Sequence, residues 1–169
     1  LSETVIYRGD IDNAKKKSAY RSVGIYETQR IEHGFMEPEC AIAYLEGDKI
    51  NVLSQGQGVY EDRTQIARIL DVEIEKVQVY LVSNGGAFGG KEDLSVQGHA
   101  ALFASRLGRP VKVRLNREES ITMHPKRHPV WMRYDVGCDS DGMITYVTAR
   151  FVGDTGAYAS VGMKVMERC

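Results

Sequence analysis

The chain has 169 residues, 43% of them apolar and 27% charged, which is enough for an ordinary domain with a sizeable core. Its 22 basic residues against 23 acidic ones leave a formal charge of -1, so no overall field draws nucleic acid or an anionic membrane surface. No apolar run nears the ~20 residues of a membrane span, and "LSETVIYRGD" lacks the basic and apolar regions of a secretory signal, so a soluble, cytoplasmic protein is expected.

In chain order, "SAYRSVGIYETQRIEHGF" has the β-branched and aromatic content of one or two strands. "CAIAYLEGDKINVLSQ" reads as a hairpin turning at Glu46, Gly47 and Asp48. From Val59 to Leu70 the apolar residues Val59, Ile66, Ala67, Ile69 and Leu70 recur at helical spacing, which leaves Glu61, Asp62, Arg63 and Arg68 for solvent. "KVQVYLVS" alternates as a strand does, a glycine-rich stretch follows, and a second helix is expected from Asp93 to Leu107. Leu94, Ala101, Leu102 and Ser105 would share its buried face, and Gly108 and Pro110 would end it. Beyond lie a short strand in "PVKVRLN", a short helix or turn in "REESITMH", and a long hairpin, "WMRYDVGCDSDGMITYVTARFVG", turning at 139–142.

Without repeats or linkers, the order describes one α+β unit over 1–169. The closing "DTGAYASVGMKVMERC" opens a helix that nothing stops, so a fragment of a longer polypeptide is expected. Cys40, Cys138 and Cys169 are too far apart in sequence for a metal knuckle and odd in number, which reads as free thiols with no zinc or iron-sulfur site.

The stretch "NGGAFGGKED", residues 84–93, joins a strand to a helix through four glycines. Glycines there let bare backbone N–H groups approach a ligand, and a following helix N-terminus favours an anion. A Walker loop needs Ser or Thr after its lysine, but Glu92 follows Lys91; the G-x-G-x-x-G spacing of a dinucleotide loop is also absent. Glu92 and Asp93 would repel a phosphate on the first turn. Phe88, an aromatic between glycine pairs, either plugs a core or covers a flat group in a pocket. A tight turn and a cofactor loop both fit the glycines alone.

Four ordered motifs go further: "EHGFMEPECAIA" (32–43), "SQGQGVYEDRTQIARIL" (54–70), the stretch from Asn84 to Ser120 containing "NGGAFGGKED", and "DTGAYAS" (154–160). From about Tyr26 onward the chain resembles the molybdenum-cofactor subunit of the xanthine dehydrogenase and aldehyde oxidase family, most closely its bacterial purine-hydroxylase type. The resemblance implies mixed sheets with helices packed on them. It also implies hydroxylation of a purine, another N-heterocycle or an aldehyde, with water as the oxygen source. Molybdopterin would carry the molybdenum, and iron-sulfur clusters and FAD would sit on other subunits or domains of an oligomer.

Carried over by position, Gly86, Ala87, Phe88 and Gly89 would line the cofactor, with Phe88 also walling the substrate pocket. Ala87 stands where the family usually has a third glycine, so a methyl must fit there. Glu92 would face the substrate ring; its plainer reading is a solvated acid in the first turn of a helix. A glutamine amide would donate to a metal oxygen. Gln55 and Gln57 both lie in the right turn, and the 31 residues from Gln57 to Phe88 (88 minus 57) match the family spacing without a gap. Gln57 and Glu92 are thus the candidate catalytic residues. His33 is read as structural, and Arg127 with His128 as a solvated basic corner. Ala159 replaces a substrate-orienting arginine of purine-oxidising relatives, which leaves the substrate class broad. The family's general base lies downstream of these motifs, so residues 1–169 alone are expected to be inactive. A nucleotide-binding module and a noncatalytic family remnant are the competing readings.

Overall fold

The computed structural model describes residues 3–168, which pack as two compact units. One unit is Ile31–Arg127; the other joins the segment ending at Arg30 to the segment beginning at His128.

The Ile31–Arg127 unit is built on a four-stranded sheet of order β4-β3-β2-β5. Strands β2 (Cys40–Glu46) and β3 (Lys49–Ser54) form the expected hairpin, and β5 (Val111–Arg114) pairs antiparallel with β2. Strand β4 (Val77–Leu81) instead runs parallel to β3, which requires a crossover between them. Helix α2 (Val59–Leu70) supplies it, ending at Asp71 in the left-handed region with φ 53°. Because β3 and β4 point the same way, the segments leaving their carboxyl ends, 55–58 and 82–96, start side by side. The Val82 N–H donates to the Ser54 carbonyl at 2.9 Å.

The core forms where α2 and α3 (Gln97–Leu107) cover one face of this sheet. Ile66 and Ala67 of α2 and Ala100, Ala101 and Ala104 of α3 share one buried cluster with Ala41, Ala43, Val52, Val77 and Val79 of the sheet. Small residues on α3 let its backbone approach the strands closely.

Helix α3 begins at Gln97, not Asp93, because the Gln97 side chain folds back to accept the Ser95 N–H at 2.8 Å and holds residues 93–96 in a loop. Its buried face is Gln97, Gly98, Ala100, Ala101 and Ala104, and Ser105 is exposed. Gly108, left-handed at φ 64°, stops the helix as expected. Asp62 departs further from expectation: it is fully buried, whereas Ile69 is 48% exposed. A short helix, α4 (Arg117–Met123), starts from a capping box between Asn116 and Glu119.

The second unit is an antiparallel sheet of order β1-β6-β7, with β1 Tyr20–Glu27, β6 Val130–Cys138 and β7 Ile144–Gly153. Helix α1 (Ile11–Lys17) escaped the periodicity reading because "IDNAKKK" carries no apolar stripe; the Asp10 carboxylate caps it, and lysines fill its last turn. Asp135 is held by two bonds from Arg21, at 2.8 and 2.6 Å, and by the Tyr146 hydroxyl at 2.7 Å. Cys40 and Cys138 are free thiols, and Cys169 lies outside the described residues. Among the described residues, no helix is long and apolar enough to cross a membrane.

Candidate functional site

Gln57, Gly86, Ala87, Phe88, Gly89 and Glu92 all belong to the Ile31–Arg127 unit, on the two segments that leave β3 and β4. The segments are stitched together. The Gln57 N–H donates to the Lys91 carbonyl at 2.8 Å, and the Gln57 side-chain oxygen accepts the N–H groups of Gly89 and Lys91, each at 3.1 Å. With Oε1 so engaged, the exposed Gln57 side chain presents Nε2, a pure donor, outward. Gln55 is spent differently: its Nε2 donates to Glu37 Oε2 at 3.1 Å and to the Ser83 carbonyl at 3.2 Å. Of the two glutamines, Gln57 is thus the one whose amide nitrogen has no acceptor among the described residues.

The glycine loop is irregular for a physical reason. Gly85, Gly86 and Gly89 have φ of 60°, 94° and 91°, in the region that side chains rarely adopt. At Gly85 a Cβ would also lie 2.3 Å from Glu37 Cγ. Ala87 is not among the left-handed residues, and its methyl is 5% exposed, so the extra carbon is accommodated inward.

Phe88 is left-handed at φ 54°, a rare state for a bulky residue, and its ring is 61% exposed beside Gly86. It plugs no core. The structure holds a large aromatic in solvent at the cost of backbone strain.

Lys91 turns inward, which sequence reasoning missed. It is 4% exposed, and its ammonium donates to the carbonyls of Glu37 (2.8 Å) and Asn84 (2.5 Å) and sits 4.4 Å from the Phe35 ring centroid. Burial pushes its pKa below the usual lysine value, against the pull of Glu39 and Glu37. Arg127, read as solvated, donates to the Phe88 carbonyl at 3.2 Å; His128 belongs to the other unit. His33 packs on the loop, its ring where a Cβ on Gly90 would come within 2.8 Å of Nδ1. Glu92 lies in the loop five residues before α3, so the first-turn reading does not apply to it. Its carboxylate is half-buried and has no partner among the described residues.

At the apex, the N–H groups of Ala87 and Phe88 and the Gln57 Nε2 have no acceptor among the described residues. They are donors only. Such a set suits a group rich in acceptor oxygens beside a flat surface and does not suit a bare cation. A nucleotide phosphate fits less well, because Lys91 is turned away and no helix begins at the glycines.

Comparison with known proteins agrees with this chemistry. The molybdopterin cofactor-binding domain matches residues 1–169. The nicotinate dehydrogenase large molybdopterin subunit of Eubacterium barkeri is 39% identical over 161 residues, which is 95% of this chain and 38% of that protein. A Bacillus subtilis (strain 168) subunit named as a "Probable xanthine dehydrogenase" component is 38% identical over 168 residues, 99% of this chain and 23% of that protein. Among solved structures, the aldehyde oxidoreductase from Desulfovibrio gigas superposes with a TM-score of 0.86 at 25% identity, covering 95% of this chain and 18% of that one. The mixed-sheet α+β fold expected from the motifs is thus the observed one. The chain spans well under half the length of the relatives it matches.

Proposed function

This chain belongs to the molybdopterin cofactor-binding domain family, and from that premise we propose that it is part of a molybdenum hydroxylase acting on an N-heterocycle. The observation that carries the reading is the Gln57 amide, anchored through its oxygen by Gly89 and Lys91 so that only a donor faces outward. The two related subunits named for nicotinate and xanthine favour a nitrogen heterocycle over an aldehyde.

Bound at this loop, the molybdenum cofactor would supply a two-electron acceptor and a water-derived oxygen. Gln57 Nε2 and the open N–H groups of Ala87 and Phe88 would hold the oxygens of that group without adding charge. Gly86 and Gly89 let the backbone come close, and the Phe88 ring excludes water from one side of the substrate. Glu92 accepts a ring N–H and fixes which carbon is presented. Net hydroxylation replaces a C–H by C–OH, takes the oxygen from water and releases two electrons and two protons. The electrons leave through iron-sulfur and flavin partners, and the base is assigned to residues outside 1–169. We place the whole assembly in the cytoplasm, as an oligomeric hydroxylase in purine or related heterocycle metabolism.

The test is metal and pterin analysis of the full-length protein from a cofactor-competent host, with turnover assays on purines, nicotinate and aldehydes. The expected result is stoichiometric molybdenum and pterin, with Glu92→Gln keeping both and losing turnover on the heterocycle. Absence of molybdenum and pterin would instead establish a noncatalytic family member.

A further inference from the structure

Behind Gln57 lies a buried polar cluster that the reading above does not use. Asp62 of α2 is fully buried, and its Oδ2 accepts the Ser54 hydroxyl at 2.7 Å. That bond fixes the direction of the Ser54 proton and frees both lone pairs of the hydroxyl. One accepts the Gly56 N–H at 2.9 Å, the other Gln97 Nε2 at 3.1 Å. Gln97 in turn accepts the Ser95 N–H at 2.8 Å, so the cluster also grips the far end of the glycine loop. Gly56 has no room for a side chain, since a Cβ would lie 2.7 Å from Asp62 Oδ2. The turn carrying Gln57 is therefore pressed against the carboxylate from behind while the loop holds it in front.

Asp62 is an expensive residue to keep there. Its Oδ1 is buried without a partner among the described residues, and burial pushes the carboxyl pKa up against the bonds from Ser54 and Gln97. An apolar side chain would fill the space more cheaply. It would also release the Ser54 proton, and the hydroxyl would turn away from Gly56.

We propose that Asp62 is a positioning residue for Gln57: acting through Ser54 and Gly56, it fixes the backbone from which the Gln57 amide reaches the glycine loop. The inference rests on the role given to Gln57 above.

The experiment uses the full-length holoprotein with Asp62→Leu, Asp62→Asn, Gln57→Ala and the double variant Asp62→Leu/Gln57→Ala. Molybdenum and pterin content, the Mo(V) electron paramagnetic resonance spectrum after dithionite reduction, and turnover are measured. Asp62→Leu should retain the metal, shift the spectrum toward that of Gln57→Ala, and lower kcat about 10- to 100-fold with little change in KM. Asp62→Asn keeps an acceptor oxygen for Ser54 and should recover turnover to within about threefold. The double variant should be no worse than Gln57→Ala alone, because both changes disable one device. Losses that multiply in the double variant, or a wild-type spectrum in Asp62→Leu at full metal content, would overturn the inference. If Asp62→Leu does not fold, Ser54→Ala makes the same comparison. A wild type lacking molybdenum and pterin overturns the reading of Gln57 and this inference together, whereas multiplying losses overturn the inference alone.

Discussion

Gln57 and Lys91 are joined twice, in opposite directions. The backbone N–H of Gln57 donates to the Lys91 carbonyl at 2.8 Å, and the backbone N–H of Lys91 donates to the Gln57 side-chain oxygen at 3.1 Å. This pair locks two segments that leave neighbouring strands. It also fixes which end of the Gln57 amide is free.

Gln57→Ala should therefore remove a preorganised donor, lowering kcat of the holoenzyme about 100-fold while molybdenum content is kept. Gln55→Ala should leave turnover intact and cost about 1 kcal/mol of stability, because its amide serves only Glu37 and Ser83. Paired kinetic and urea-unfolding measurements check this; an equal loss of turnover in both variants would refute the assignment.

Lys91→Met should cost roughly 2–3 kcal/mol, since it leaves the carbonyls of Glu37 and Asn84 without their charged donor in the interior. Lys91→Arg should not rescue it, because a forked guanidinium cannot reproduce the ammonium geometry over Phe35. Denaturant unfolding of both variants reads the effect, and a loss below about 1 kcal/mol in Lys91→Met would contradict it.

Phe88 and Phe35 should separate function from stability. Phe35 is 1% exposed, so Phe35→Ala should cost about 3–5 kcal/mol. Phe88→Ala removes an exposed ring from a left-handed residue and should change stability by less than about 1 kcal/mol. Turnover should fall in Phe88→Ala, with a raised KM for the heterocycle. Thermal melts beside steady-state kinetics test both halves.

Much of the fold was legible because periodicity and turn chemistry are local. The bounds of α2 follow from its apolar spacing, and the hairpin turn at Gly47 and the helix stop at Gly108 from their glycines. What was not legible depends on side chains folding back. The start of α3 moved to Gln97 because that residue caps the loop before it, a bond no propensity scale contains. Asp62 was read as solvent-facing because such residues nearly always are, and nothing in the sequence marked Lys91 as buried. Only the three-dimensional approach of Glu37, Asn84 and Ser54 gives them buried partners. Within the candidate site, the family spacing to Phe88 favoured Gln57, but the reason it differs from Gln55 lies in their hydrogen-bond partners.

The second unit carries an acid-sensitive bond. Arg21 and the Tyr146 hydroxyl hold the Asp135 carboxyl well below the ordinary carboxylate range of about 4. A carboxyl depressed on folding contributes stability that is complete above its unfolded value and is lost as pH falls toward the folded value. Asp135→Asn should thus be less stable than wild type at pH 7, with the difference shrinking below about pH 4. Melting temperatures across pH 7 to 3 measure this, and a gap that stays constant would exclude the assignment.

The parallel pairing of β3 with β4 has a consequence for how the molecule assembles. A hairpin such as β2–β3 closes through a two-residue turn, whereas β4 reaches β3 only through the long crossover that contains α2. Gln57 and Gly89, 32 positions apart, are brought together by that same non-local pairing. The contact between the amide and the glycine backbone it braces therefore carries the entropic cost of closing that long connection. A nascent chain stalled before Lys91 would carry β4 and most of the glycine loop, but not the Lys91 carbonyl and N–H that fasten Gln57 to that loop.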